Sequence, residues 1–337
     1  MRYRPLGTDG IEASVIGLGT WVTGGGAVWG ADPDDQESIR AIQTSLDAGV
    51  NLIDTAPGYG WGRSEQVVGK AIKGRRDSVI VATKCGLIWD DDRGSPFAEL
   101  NGKLVRRSLR PDTIVEEIER SLSHLDTDYI DLYQTHWPSV EPDMTPIEDT
   151  MATLLKLADA GKIRMIGVCN CTLDELVENV KCGPVVSHQF RYSMLCRVPE
   201  QDILPYGRQQ NIATLAYMSL EQGLLTGKIR MDREFAKDEF RSNEDWNPWF
   251  KLENRKRILD QLDSWKELTE KYNCSLAQLT LAWTAAQPGV THVLVGARNA
   301  QQAMENAAAA DIELSTTDRD RMSNDIESLG TPTTEAL

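Results

Sequence analysis

Short apolar runs alternate along this chain with longer amphipathic stretches. Eight runs, at 15–18, 52–54, 79–83, 130–134, 165–168, 186–189, 213–216 and 292–295, have the hydrophobicity of strands buried on both faces. Between them, 34–48, 112–125, 145–160 and 173–180 repeat apolar residues at helical spacing, open on capping residues and in several cases close on glycine. Parallel strands need crossovers, and intervening helices supply them. Eight such units predict an α/β fold, a closed (β/α)8 TIM barrel. Ahead of it, 3–6 and 11–14 flank Gly7-Thr8-Asp9-Gly10 and predict a β-hairpin.

The competing architecture is an open doubly wound sheet, which carries a glycine fingerprint after its first strand. Here Gly17-Leu18-Gly19-Thr20-Trp21-Val22 has Val at the third small position, and 223–228 lacks the spacing and the Ser/Thr of a P-loop. The barrel therefore stands, as one domain over residues 1–337. Two polar segments, 88–109 and 229–252, exceed a minimal barrel and are expected as long loops above its C-terminal face, where barrel enzymes keep their chemistry. The tail after about 329 is expected to be extended or frayed.

Charge narrows the function. The chain has 36 Lys plus Arg against 51 Asp plus Glu, a formal charge of −15, which disfavours a nucleic-acid binder. With 41% hydrophobic and 26% charged residues it has a globular composition, and no window reaches the length of a membrane span. No apolar signal core follows Met1-Arg2-Tyr3-Arg4-Pro5. Six scattered cysteines in a chain of this size suit reduced thiols, so the expected compartment is the cytoplasm. Cys169 and Cys171 form a C-x-C pair, but there is no second pair at ligand spacing and there are four histidines in all, so no metal is expected.

Polar groups at the carboxyl ends of barrel strands converge on one mouth. Asp54 ends its run, Lys84 follows 79–83, His136 lies just after 130–134, and Tyr59 sits in the loop beyond Asp54. A phenol is a weak acid with a pKa near 10, and a neighbouring ammonium favours its ionised form. Lys84 is the expected ammonium, held charged by Asp54, with His136 polarising the group that Tyr59 protonates. Singly, these residues read as a rim salt bridge, a loop histidine and a packed turn tyrosine. Together on separate strand ends they read as a site.

Asp54-Thr55-Ala56 with Tyr59-Gly60 and Ser64-Glu65, then Thr83-Lys84, His136-Trp137-Pro138 and Gly167-Val168-Cys169-Asn170, resemble the ordered signatures of the aldo-keto reductases. The resemblance runs from about Tyr3 to about Asn306. Gly30-Ala31-Asp32, Trp61-Gly62-Arg63-Ser64-Glu65 and Gly296-Ala297-Arg298-Asn299 resemble a bacterial branch of inositol- and stress-related reductases. The family resemblance implies a barrel that binds NADP(H) across its mouth and an oxidoreductase that interconverts aldehydes or ketones and alcohols. It also implies Tyr59 as general acid and base, Lys84 and Asp54 tuning it, and His136 orienting the carbonyl. Asn170 and Gln189 would hold the nicotinamide carboxamide and Tyr217 would stack on its ring. Ser219, Leu220, Gly223 and Lys228 would line the pyrophosphate, and Gly296, Arg298, Gln302, Glu305 and Asn306 match the adenosine end. Gly19, Thr20, Trp21, Cys169 and Met218 complete the expected cofactor surface. Three departures stand out: Cys169 where Ser is usual, Met218-Ser219 in place of Ser-Pro, and Ser139 where Asp often follows.

Arg298 at a helix start favours a 2′-phosphate, so NADP(H) is expected in preference to NAD(H). Trp21, Trp89 and Trp137, with Tyr59 and His136, are the expected substrate wall, which suits a sugar, cyclitol or other ring carbonyl. Trp61 is equally well read as packing, and Trp265 and Trp283 as core. The expected partner is therefore a small carbonyl or alcohol, with neither nucleic acid nor membrane. The alternative is an NADP(H)-binding, redox-sensing regulatory subunit with little turnover.

Overall fold

In a computed structural model, which describes every residue except 8, 9, 27, 31, 101, 238 and 335–337, all eight runs are strands. They are preceded by a hairpin of β1 (Tyr3–Pro5) and β2 (Glu12–Ser14). The barrel strands are β3 (Ile16–Gly19), β4 (Leu52–Asp54), β5 (Ile80–Cys85), β9 (Ile130–Thr135), β10 (Ile163–Cys169), β11 (Ser187–Arg191), β12 (Ala213–Tyr217) and β13 (His292–Val295). All neighbours are parallel. The barrel closes where β13 meets β3, with Leu294 opposite Gly17.

Helices α1 (Asp35–Asp47), α2 (Arg63–Ala71), α3 (Pro111–Leu125), α4 (Ile147–Asp159), α5 (Leu173–Cys182) and α6 (Ile203–Gln210) link the strands in turn. Helices α7 (Leu252–Ser264), α8 (Lys266–Lys271) and α9 (Leu276–Ala285) precede β13, and α10 (Ala300–Ala308) and α11 (Thr316–Ser328) follow it. Local sequence fixes several starts. Asp34 accepts from the Gln36 amide at 2.7 Å, Pro111 opens α3, and Thr172 with Glu175 and Ser275 with Gln278 form capping boxes.

Side chains alternate across each strand, and the alternation separates core from site. Ile53, Val81, Ile130, Ile166 and Val168 face the helices and pack with residues such as Val67, Ile114, Ile118 and Leu154. On the opposite side Ile16, Phe190, Ala216 and Val293 share a core with Leu279, Met322, Trp265 and Trp283, both tryptophans being fully buried. The inner face begins with Leu52, Ile80, Ala82, Leu132, Met165, Leu215 and Leu294, which cluster with Leu6, Ala13 and Val186. The hairpin thus seals the N-terminal end of the barrel. Two residues further along the same strands, the inner face turns polar at Asp54, Lys84 and Gln134.

The segment 88–109 departs from the expected loop. It contributes β6 (Leu87–Ile88), β7 (Ser95–Leu100) and β8 (Lys103–Arg107) to an antiparallel sheet, with a register irregularity between Pro96 and Ala98. These strands carry exposed Phe97 and Leu104 amid polar residues, so apolar runs did not reveal them. The segment 229–252 instead makes two 3-10 turns, Phe240–Ser242 and Pro248–Phe250, and the Phe240 amide donates to the Val28 carbonyl at 3.0 Å. It therefore reaches from the β12 side to the loop after β3. The tail is tied down through Thr334: Asn254 donates to the Thr333 carbonyl at 2.9 Å and Lys251 to that of Thr334 at 2.6 Å, while Arg257 bonds Leu329 and Thr331.

Because Leu6 is fully buried in the plug, Leu6→Ala should destabilise the fold by about 2–5 kcal/mol through a cavity at the barrel floor. A lowered urea midpoint at unchanged far-ultraviolet circular dichroism checks this.

Candidate active site

Asp54, at the end of β4, and Lys84, on β5, point into the barrel from neighbouring strands and are both buried. Lys84 Nζ donates to Asp54 Oδ2 at 2.7 Å, to the Thr55 carbonyl at 2.8 Å and to Tyr59 Oη at 3.2 Å. Asp54 Oδ1 accepts from Gln189 Nε2 at 2.8 Å and from Gln134 Nε2 at 3.2 Å. Every donor of the ammonium and both carboxylate oxygens are therefore engaged. His136 follows β9, its ring 5.9 Å from that of Tyr59 in an edge-on arrangement. The four residues named from sequence come together in one place.

Tyr59 is held by its loop. Gly60 has φ +67°, and a Cβ there would lie 2.2 Å from the Gly24 carbonyl oxygen, so the loops after β3 and β4 touch through backbone alone. Thr20 and Ser64 brace the same corner: the Thr20 amide and hydroxyl both donate to the Asp54 carbonyl at 2.9 Å, and Ser64 donates to Thr20 Oγ1 at 2.7 Å.

The electrostatics correct one expectation. Burial pushes the Tyr59 phenol up to about 12; the Lys84 ammonium pulls the other way without prevailing. The phenol is thus a protonated group at neutral pH. Burial also opposes the Lys84 ammonium, but Asp54 and Tyr59 outweigh it and its pKa is raised. For His136, burial reinforced by Lys84 and Arg107 holds the imidazole well below its usual range. Of the groups at the mouth, Tyr59 is the neutral acid with a cation behind it, and His136 is a neutral imidazole.

The expected cofactor residues line the rest of the rim. Gly19 ends β3 and Trp21 follows it. Cys169, on β10, donates to Gln134 Oε1 at 3.6 Å, which takes the place of a hydroxyl hydrogen bond with a weaker thiol one. Asn170 donates to the His136 carbonyl at 2.9 Å and accepts from Tyr217 Oη at 2.8 Å, which leaves one N–H and one lone pair of its amide free. Met218, Glu221, Gln222 and Gly223 all have positive φ, and Ser219 is buried beneath them with Leu220 alongside. Buried in that loop, the Gln222 amide has no partner on either end. A dinucleotide fits this donor set: amides for a carboxamide, the Tyr217 ring, and a turn of left-handed backbone with an unsatisfied amide for the pyrophosphate.

At the far end, Gln302 accepts from the Arg298 amide at 2.9 Å and Asn306 donates to the Gly296 carbonyl at 3.0 Å, so both shape the start of α10. Lys228 is paired with Glu305 at 2.8 Å, and that pair bridges the β12 loop to α10. Arg298 and Arg241 lie 5.5 and 5.7 Å from the Trp29 ring. Burial, then Arg241 and Arg233 against the opposing Glu239, lowers the Arg298 pKa, so cations are crowded here.

The substrate wall divides. Trp21 stands 6.3 Å from the Tyr59 ring and 6.2 Å from Phe240. Trp89 packs on Trp61 at 5.0 Å, and Trp137 on Phe97 at 5.4 Å. Ser139 donates to the Thr145 carbonyl at 2.9 Å, which stabilises the loop beyond Trp137. Among the described residues, metal-ligating atoms come together at Glu148, Glu178 and Cys182 on the outer helices α4 and α5, not at the strand ends.

The chain matches the model of the Aldo/keto reductase family over residues 15–325. It belongs to that family. As an aldo-keto reductase, it is 42% identical over 330 residues to an Escherichia coli (strain K12) protein named NADH-specific methylglyoxal reductase, covering 98% of this chain and 99% of that one. It is also 42% identical over 305 residues to the Bacillus subtilis (strain 168) aldo-keto reductase YhdN, covering 90% and 86%. Among solved structures, the glycerol dehydrogenase AKR11B4 from Gluconobacter oxydans superposes with a TM-score of 0.85 at 36% identity, over 99% of this chain and 97% of that one. The reductase is thus an oxidoreductase of a family that uses nicotinamide cofactors. None of its described helices is long and apolar enough to cross a membrane.

Several residues near the mouth are not named by the sequence pattern, Gln134, Trp29, Phe240 and Arg241 among them. Gln134 was findable, since it sits two positions after Leu132 on the inner face of β9. Trp29, Phe240 and Arg241 come from loops whose convergence leaves no mark in the pattern.

Because its pKa is lowered, the His136 ring should remain a neutral tautomer from about pH 8 to pH 6, where a free imidazole would half-titrate near 6.5. Nitrogen NMR of labelled histidine reads this directly, and a midpoint near 6.5 would contradict it.

Proposed function

We propose that this aldo-keto reductase moves hydride between NADP(H) and a small polar aldehyde or ketone, or the corresponding alcohol, with Tyr59 as the acid and base. The observation that carries the reading is the Tyr59 hydroxyl at 3.2 Å from a buried ammonium that is itself fixed by Asp54. In reduction a C–H bond forms at the carbonyl carbon as the π pair moves to oxygen, and that oxygen takes the Tyr59 proton. The phenolate left behind is stabilised by Lys84 until solvent returns a proton. His136, neutral, donates one N–H to the same oxygen and fixes its direction. When bound, the reduced nicotinamide supplies the hydride, and Asn170, Gln189 and Tyr217 would hold it against the mouth.

The names of relatives support a small, oxygen-rich substrate: one is a methylglyoxal reductase, another a glycerol dehydrogenase. The Trp21 face beside Tyr59 also suits a ring carbonyl such as a sugar or cyclitol. For the cofactor, a 2′-phosphate would relieve the repulsion among Arg298, Arg241 and Arg233, which supports NADP(H). The relative named NADH-specific marks the competing choice.

Tyr59→Phe should retain NADPH binding, read by fluorescence titration, and lose at least about a thousandfold in kcat. Full activity in that variant would sink the assignment. Tight NADPH binding with negligible turnover by the unaltered protein, across a panel of aldehydes and sugars, would instead favour the regulatory subunit. The pH dependence follows from the raised phenol: reduction should hold steady from neutral pH and fall only toward about pH 12, while oxidation, which needs the phenolate, should rise with pH. Arg298→Ala should weaken NADPH about tenfold or more and NADH by much less, as measured by the KM for each. Equal losses would remove Arg298 from phosphate recognition.

A further inference from the structure

The sheet formed by β6, β7 and β8 brings one more charge to the mouth. Arg107, the last residue of β8, has its guanidinium carbon 4.2 Å from the Phe97 ring centre and 4.7 Å from that of Trp137. Trp137 is the residue next to His136, and the Arg107 charge reaches the His136 imidazole. The two ring centres, 5.4 Å apart, flank the guanidinium carbon from one side and restrict where the group can sit. Those donors have no taker among the described residues. Arg107 makes no ion pair within 4.0 Å, and its buried Nε has no hydrogen-bond partner. Glu175 is the carboxylate whose field it feels, without a contact. Its neighbour Arg106 shows the ordinary alternative, since it donates to the Gly94 carbonyl at 3.2 Å and pairs with Asp92 at 3.6 Å. A guanidinium with its Nε edge shut off from water and left unpaired beside a reaction centre is favoured when an oxyanion completes it.

Resting on the reading of Tyr59 and His136 given above, we propose that Arg107 is a specificity residue that binds the anionic end of the substrate. The preferred class is then a short aldehyde or ketone bearing a carboxylate or phosphate. The oxyanion accepts two N–H bonds from the guanidinium fork, and the carbonyl at the other end lies toward Tyr59 and His136.

Two matched pairs test this: succinic semialdehyde against butanal, and glyceraldehyde 3-phosphate against glyceraldehyde. They are assayed with NADPH and NADH in the unaltered protein, Arg107→Met and Arg107→Lys. The readout is the kcat/KM ratio of anionic to neutral partner, which cancels any general loss of activity. The unaltered protein should favour one anionic partner by about tenfold or more, and the pair that responds tells carboxylate from phosphate. Arg107→Met should erase that ratio, and Arg107→Lys should keep part of it because the charge remains without the fork. A ratio near one in the unaltered protein, or an unchanged ratio in Arg107→Met, overturns the proposal. Should Arg107→Met fail to fold, a severalfold drop in the Arg107→Lys ratio decides in its place, and no drop overturns it. Should no carbonyl be reduced at all, the catalytic reading fails and binding still judges Arg107. Titration of the protein with malonate and with inorganic phosphate should quench tryptophan fluorescence through Trp137, and Arg107→Lys should weaken that response severalfold. Absence of any response in the unaltered protein counts against Arg107.

Discussion

A buried ion pair, Lys84 with Asp54, is the constraint around which this barrel's mouth is organised. At 2.7 Å and an effective dielectric near 20, the attraction is on the order of 6 kcal/mol, whereas removing each ion from water costs several kcal/mol. The pair alone therefore roughly breaks even. What tips it is the set of further hydrogen bonds: the Thr55 carbonyl and Tyr59 hydroxyl for the ammonium, and the amides of Gln134 and Gln189 for the carboxylate. Those partners come from β4 and its following loop, β9 and β11, so the charge is tolerable only once the barrel has closed. Closure in turn depends on the apolar floor two residues below, where Leu52, Ile80 and Leu132 pack with Leu6 of the hairpin.

The same interior that holds the pair sets the protonation of the groups around it. An exposed ammonium beside an exposed phenol would lower the phenol's pKa, and in this mouth burial of Tyr59 reverses the net direction. The cation's effect survives as a smaller opposing pull, which becomes decisive only when negative charge develops on the oxygen. A buried ammonium thus does little to the resting acid and much to the transition state, which is the differential effect that catalysis needs. The depressed His136 belongs to the same interior, since burial first, and then repulsion by Lys84 and Arg107, disfavours a second cation there.

The strand ends were legible because two regularities coincide in the sequence: short runs that supply eight strands, and a polar residue two positions after an inward apolar one. Leu52 with Asp54, Ala82 with Lys84 and Leu132 with Gln134 all follow that rule, and Gln134 was passed over only because a neutral amide does not announce chemistry. The β7–β8 hairpin left no such trace. Its strands are half exposed and its side chains work by stacking, as in Phe97, Arg107 and Trp137, so polar composition looked like loop. Three-dimensional convergence of distant loops, such as Trp29 with Arg241 and Arg298, has no periodicity to read at all.

Net charge is a poor guide to such a surface. The chain carries −15 overall, yet Arg241 and Arg233 bear on Arg298 near one rim and, among the described residues, Arg107 stands unpaired near another. At physiological ionic strength fields between exposed charges fade over roughly 8 Å, so distant carboxylates cannot cancel these local concentrations. Aromatic faces keep them in place. Arg241 and Arg298 both lie against the Trp29 ring, with Arg241 also paired to Glu239, and Phe97 and Trp137 flank Arg107, so aromatic contacts help guanidinium groups sit close together or partly dry. An acidic barrel can thereby present fixed cations to anionic ligands at its mouth while the rest of its surface repels them, and selectivity for where an anion lands follows from the contrast.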